Sequence, residues 1–259
     1  MRVTSGHRIL IGLAALLGDA AGVAAADPVS PHASGHLPSP IQDDAIHHRL
    51  LIDQLEYRAG ETSEEAVAWD VLGWVGGDDA RLWLESEGQH RTRDEQTEIG
   101  RLDVYYGRLV APYWDLLGGV GYQRHAGAEG SPERLAAVAA LHGLLPYRLE
   151  VDATLRLDED GLMTARLETE SELLLTQRLI LQPRVELGAA AREDRAFDLG
   201  AGLTSATAGL RLRYEIDRRF APYLGWSWTR KLAGTADRAR EGGEAVREST
   251  LVAGLRIWF

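Results

Sequence analysis

The sequence predicts an all-β protein: a transmembrane antiparallel β-barrel of about twelve strands (ten possible), with a charged lumen and a short periplasmic N-terminal extension. Three observations predict it. Over residues 148–158, Arg148, Glu150, Asp152, Thr154, Arg156 and Asp158 alternate without a break with Leu149, Val151, Ala153, Leu155 and Leu157. Period-two alternation places each set on its own face of a strand. The pattern returns as Leu167 against Arg166, Glu168, Glu170 and Glu172, and as Leu179, Leu181, Val185 and Leu187 against Arg178, Gln182, Arg184 and Glu186. A soluble sheet alternates too, but its wet face needs no such density of opposite charges. Strands apolar outside and charged inside mark a membrane barrel. The third observation is a chain that opens on an export-like segment and has no later apolar run long enough for a membrane helix.

The elements follow in order. Residues 1–26 read as a cleavable signal: Arg2 and Arg8 at the front, an apolar core at 9–17, and Ala24, Ala25 and Ala26 as a small-residue cleavage site. Residues 27–46, with four prolines, His32 and His36, read as a flexible periplasmic extension. Residues 47–259 read as the barrel. Its predicted strands are 49–58, 66–75, 81–87, 97–109, 115–124, 134–144, 148–158, 165–172, 179–187, 208–217, 221–230 and 250–259. Longer polar loops at 61–65, 90–96, 127–132, 192–202 and 233–248 alternate with short corners, the brief turn at 158–161 excepted. With both termini periplasmic, the long loops all fall outside, as barrels of this kind require.

Two segments resist. Pro183 lies inside a predicted strand, where its missing N–H implies a bulge or locally broken pairing. Residues 135–145 are rich in Ala and Leu and suit a helix by propensity, which keeps ten strands open. Tyr113, Trp114, Tyr147, Phe220, Tyr223, Trp226, Trp228 and Trp258 gather near strand ends, as interfacial girdles do. The last apolar alternation ends on Phe259, which resembles the signal by which barrel assembly machinery receives outer-membrane proteins.

Composition narrows the function. A formal charge of −11 argues against a nucleic-acid partner. The absence of cysteine excludes disulfides and thiolate metal sites. Ser86 and His90, four apart, and His125 elsewhere bring no nucleophile motif and no orienting acid, so the chain is not read as an enzyme.

Several segments together resemble the copper resistance protein B family of Gram-negative outer membranes. They are Asp53-Gln54-Leu55-Glu56, Trp69-Asp70 with Gly76-Gly77-Asp78, Arg81-Leu82-Trp83-Leu84, Leu144-Leu145-Pro146-Tyr147 and the ten residues from Leu174 to Pro183. Further along are the run from Gly209 to Glu215, Phe220-Ala221-Pro222-Tyr223, Gly234-Thr235-Ala236-Asp237 and Arg256-Ile257-Trp258-Phe259. The resemblance implies a barrel in outer-membrane lipid that serves copper tolerance beside periplasmic copper-handling proteins, with a copper ion, Cu(I) or Cu(II), as its ligand. It leaves open whether copper is bound only or also moved.

The chain departs from the family in lacking a Met-rich stretch after the signal, since Met1 and Met163 are its only methionines. Thioethers favour Cu(I), whereas imidazole and carboxylate also accept Cu(II) and zinc. What remains is His32, His36, His47 and His48 beside Asp43 and Asp44, either a mobile metal site or a polar tail that carries histidines. His142 in the inward register and Met163 near a strand start are further candidate metal positions in the lumen. Glu150, Asp152, Glu168, Glu170, Glu186 and Glu215 among Arg166, Arg184, Arg211 and Arg213 are expected to pair across strands as a lumen network that leaves no wide pore. A general small-solute channel or structural barrel without a metal role is the alternative.

Overall fold

Alternation closes the chain on itself. The computed structural model describes residues 45–60, 65–93, 95–126 and 131–259. Among them run β1 (His47–Gly60), β2 (Ala66–Gly76), β3 (Ala80–Arg91), β4 (Thr97–Ala111), β5 (Trp114–Arg124), β6 (Glu133–Leu145), β7 (Leu149–Asp158) and β8 (Met163–Ser171). Then come β9 (Leu173–Leu174), β10 (Leu179–Ala190), β11 (Gly202–Tyr214), β12 (Phe220–Lys231), the helix α1 (Ala233–Glu241) and β13 (Arg247–Trp258). Pairing is antiparallel throughout, and β13 returns to β1 from Leu51↔Trp258 to Gly60↔Thr250, which closes the barrel.

β9 is the end of β8. Glu170 pairs with Arg184 and Leu173 with Leu181, one register interrupted only opposite Pro183 and Gln182. Pro183 therefore breaks the ladder on one side, as expected, while pairing with β11 runs straight through Pro183↔Leu210. With β8 and β9 counted as one pass, the described residues form a twelve-stranded barrel. Residues 135–145 belong to strand β6, with Ala136, Val138 and Ala140 buried inside and Leu135 facing out.

The outer face explains the solvent. Val120, Leu224 and Leu251 are 66, 68 and 67% exposed, and Leu82, Tyr106, Leu116, Leu155, Leu157, Leu167, Val185, Leu210 and Leu212 join them around the wall. Soluble monomers rarely expose contiguous apolar patches beyond a few hundred Å². A closed barrel with its backbone bonds satisfied and an apolar exterior is an outer-membrane protein. Tight turns lie at the end where β1 begins and β13 ends, and longer connections at the other, the short turn between β7 and β8 excepted, so the start of β1 and the end of β13 face the periplasm.

Two expectations change, and a bulge is added. β1 carries a bulge at Asp53, where its register shifts against both neighbours. The extra residue flips the faces, so Gln54 and Glu56 do not share the outward side of Leu50 and Ile52 but turn inward, 4 and 1% exposed. Tyr223 leaves the aromatic girdle: it points inward and its hydroxyl donates to Glu56 at 3.0 Å, and Gly254 beside it leaves the room, since a Cβ there would meet that hydroxyl at 2.6 Å. Residues 233–248, read as a loop, contain α1, which buries Thr235, Ala236 and Ala239 and is tied down by the Gly200 N–H donating to Thr235 Oγ1 at 2.8 Å.

Candidate functional site

The lumen is filled by charge from wall to wall. At its waist Arg166 on β8 donates to Glu87 on β3 at 2.6 Å, and also reaches Glu186 at 2.8 Å and Glu168 at 3.1 Å. Arg184 on β10 donates to Glu168 at 2.7 Å and crosses to Asp70 on β2 at 3.3 Å. Arg101 on β4 binds Glu85 at 3.0 Å. β3 and β8, like β2 and β10, stand on nearly opposite sides of the ring, so these pairs span the bore and do more than lace neighbouring strands. The belt holds five carboxylates, Asp70, Glu85, Glu87, Glu168 and Glu186, against the three guanidiniums Arg101, Arg166 and Arg184.

Two further knots brace the wall. Glu56 accepts from Arg211 at 3.1 Å, from Arg58 at 2.7 Å and from Tyr223, while Gln54 accepts from Arg211 at 2.9 Å. Asp103 accepts from Arg156 and, at 2.7 Å, from the Tyr105 hydroxyl. Towards the periplasm, beside that knot, Trp83, Tyr105, Leu117, Ala136, Val138 and Ala140 form an apolar cluster, with Leu72 and Trp74 packed on it. Gly107 makes the space, because a Cβ there would lie 2.8 Å from the Trp83 indole nitrogen. A buried charge is tolerated only with its partners, and each of these has one or more.

The charges expected in the lumen line it, though Glu150 has no ion pair among the described residues, and others join them. Glu150, Asp152, Arg166, Glu168, Glu170, Arg184, Glu186, Arg211, Arg213 and Glu215 all belong to the lumen, Glu170 accepting from Gln182 and Glu215 lying 3.7 Å from Arg213. Asp70, Glu85, Glu87 and Arg101 complete it from the opposite wall. Asp70 had a signal: it is the one charge in the otherwise apolar run from Ala66 to Val75.

The candidate metal positions separate. His32, His36, Asp43 and Asp44 lie outside the described residues. His47 and His48 open β1, pairing with Gly76 and Val75. Neighbours on a strand point to opposite faces, so those two imidazoles do not converge on one ion. Met163 begins β8 on the outward face with Leu167 and is 49% exposed, which removes it from the lumen. His142 is in the lumen: Nε2 lies 3.3 Å from Glu85 Oε1 and 3.6 Å from Asp152 Oδ1, and the ring stands edge-on to Trp83. Neither carboxylate contact has hydrogen-bond geometry, so this buried nitrogen is without a partner. Among the described residues no three of His, Cys, Asp and Glu are grouped so that they could hold a metal ion. Ser86 and His90 share the outer face of β3, where Ser86 accepts from the Trp69 indole at 3.1 Å and His90 meets Thr97 at 2.9 Å.

Over the extracellular mouth, His125 Nδ1–H donates to Glu98 at 3.1 Å, and its ring meets Phe197 of the connection between β10 and β11. That hydrogen bond raises the His125 pKa above its ordinary value, against the opposing effect of burial. Arg134 stacks on Phe197 at 3.9 Å and pairs with Asp194 of the same connection.

The family described as copper resistance protein B precursor (CopB) matches residues 46–259. The chain belongs to the copper resistance protein B family. It is 40% identical over 220 residues to copper resistance protein B of Escherichia coli, covering 85% of this chain and 72% of that protein. It is 42% identical over 226 residues to a copper resistance protein B homolog of Pseudomonas syringae pv. tomato, covering 87 and 74%. Among solved structures, the NanC porin aligns with a TM-score of 0.49 at 13% identity, over 82% of this chain and 99% of that one. Membership in the copper resistance protein B family gives the barrel a role in copper resistance.

Proposed function

We propose that the barrel binds copper ions in its lumen and helps move them across the outer membrane, a non-enzymatic role. The observation that supports this is the unpartnered Nε2 of His142 between Glu85 and Asp152, in a belt that carries more carboxylates than guanidiniums. Imidazole with carboxylates suits Cu(II), and the half-exposed Asp152 would have to move in to complete a site that the resting positions do not form. The ion pairs that span the bore hold it shut at rest, so passage requires Arg166 or Arg184 to exchange partners. That bolt weighs against the alternative of a general small-solute channel.

The test is a Cu(I) and Cu(II) titration of the signal-cleaved protein in detergent, repeated for His142→Gln and for a form lacking residues 27–44. Saturable Cu(II) binding that weakens about tenfold or more in His142→Gln is expected, one lost ligand being worth at least the free energy of that factor. Binding that vanishes with the tail and ignores His142 would move the site to the tail histidines. No saturable binding by any form would end the direct metal role.

A further inference from the structure

The periplasmic mouth has the opposite sign to the waist. A cavity of about 300 Å³ opens there, lined by Arg49, Arg213, Arg218, Arg219 and Arg256, by Trp258, and by Glu150, Glu172 and Glu215. Glu172 is already taken twice, by Arg213 at 2.6 Å and by Arg256 at 3.0 Å. Arg256 also holds Asp53 at 2.8 Å. Arg49, Arg218 and Arg219 have no carboxylate within ion-pair distance among the described residues; Arg49 instead stacks 5.4 Å over the Trp258 ring.

Two lining guanidiniums leave a buried donor unused, as Arg101 and Arg166 also do at the waist. Arg213 is 1% exposed, fixed at its tip by Gln182 and Glu172, yet its Nε is buried without a hydrogen-bond partner. Arg49 Nε is in the same condition across the cavity. A buried donor without an acceptor costs roughly 1–3 kcal/mol, more when it carries charge, and an arriving oxygen removes that cost. Guanidinium is a planar fork matched to carboxylate, and an indole face beside it admits the carbon skeleton of an organic acid.

We propose that this mouth is an anion site for a small polycarboxylate. Three arginines without carboxylate partners ask for more than one negative charge, and the cavity has room for an acid of citrate size. Resting on the copper reading above, copper then meets the periplasmic mouth as an anionic carboxylate chelate, since a bare cation is repelled by the surplus of arginine. Carboxylate oxygens suit Cu(II) in such a chelate. The waist, where carboxylates are in excess and His142 waits, is where the ion would exchange ligands.

The probe is citrate alone, titrated calorimetrically into the full signal-cleaved protein in uncharged detergent at low salt, with acetate and inorganic phosphate as comparisons. Saturable citrate binding is expected, at least tenfold tighter than acetate or phosphate and weakened by salt. Arg218→Gln and Arg219→Gln lie on an exposed turn and leave the barrel intact; together they should weaken citrate about tenfold or more, and Arg49→Gln further. Citrate binding that is absent, equal to phosphate, or unchanged in these variants overturns the site. The copper clause is read separately, by comparing Cu(II)–citrate with aqueous Cu(II) on the wild type and the double variant. Loss of the chelate with retention of the aqueous ion supports it. Equal retention of both sinks the chelate and leaves the lumenal copper site to its own titration.

Discussion

Replacing Arg166 by glutamine withdraws one guanidinium that three carboxylates share. Glu168 keeps Arg184 at 2.7 Å and Glu87 keeps Arg101 at 3.7 Å, whereas Glu186 has no second cation among the described residues. Breaking a buried ion pair by deleting one partner costs roughly 3–5 kcal/mol. Two carboxylates retain an arginine and the Arg166 side chain is 23% exposed, so the lower end applies, about 3 kcal/mol. Urea unfolding in detergent micelles, followed by tryptophan fluorescence, measures it. Adding Glu186→Gln removes the stranded charge and should return about 1–2 kcal/mol, a coupling that a double-mutant cycle isolates. Single-channel recordings of Arg166→Gln should show higher and more cation-selective conductance, because the bolt to Glu87 is gone and the belt is more acidic. A loss below about 1 kcal/mol, strict additivity, or unchanged conductance would refute the wall-to-wall bolt.

Three further outcomes are expected. Because hydrogen bonding to Glu98 raises the His125 pKa, its stabilising effect is complete below the unfolded-state pKa and fades as pH rises through the folded one; hydrogen-exchange protection factors of residues 191–202 should fall over that rise and lose the dependence in His125→Asn. Pro183→Ala restores an N–H opposite the gap between β8 and β9, so amides at Ser171 and Glu172 should gain exchange protection without loss of stability. Phe259→Ala should lower the yield of folded barrel in outer membranes far more than it lowers stability once folded, as a role in handover to the assembly machinery requires; equal losses would make Phe259 merely a seam residue.

Periodicity made the strands legible because a membrane wall permits little else: at each outward position from Leu149 to Leu157 lipid admits only apolar side chains, and the inward ones must be paired. What failed was anything that breaks period two. One inserted residue at Asp53 reverses every face after it, and no residue type there announces a bulge. Tyr223 sat at a girdle height but in an inward register, which only its hydrogen bond to Glu56 makes sense of. α1 hid among glycines and charges, although Ala236, Arg238, Ala239 and Arg240 are good helix formers. Met163 belonged to a register that its own strand spelled out through Leu167. One wall of the lumen was readable; Asp70, Glu85, Glu87 and Arg101 opposite it were not, nor were the partners across the bore, because Arg184 and Asp70 meet only after the ring has closed.

The seam between β1 and β13 has a consequence for folding. The first strand waits for the last: Leu50 exchanges backbone hydrogen bonds with Phe259. Until β13 pairs with it, β1 offers an open edge, and closing the ring joins residues about 200 positions apart, which makes folding slow. Exposure of that edge to aggregation and proteases is therefore set by how quickly β1 and β13 are brought together.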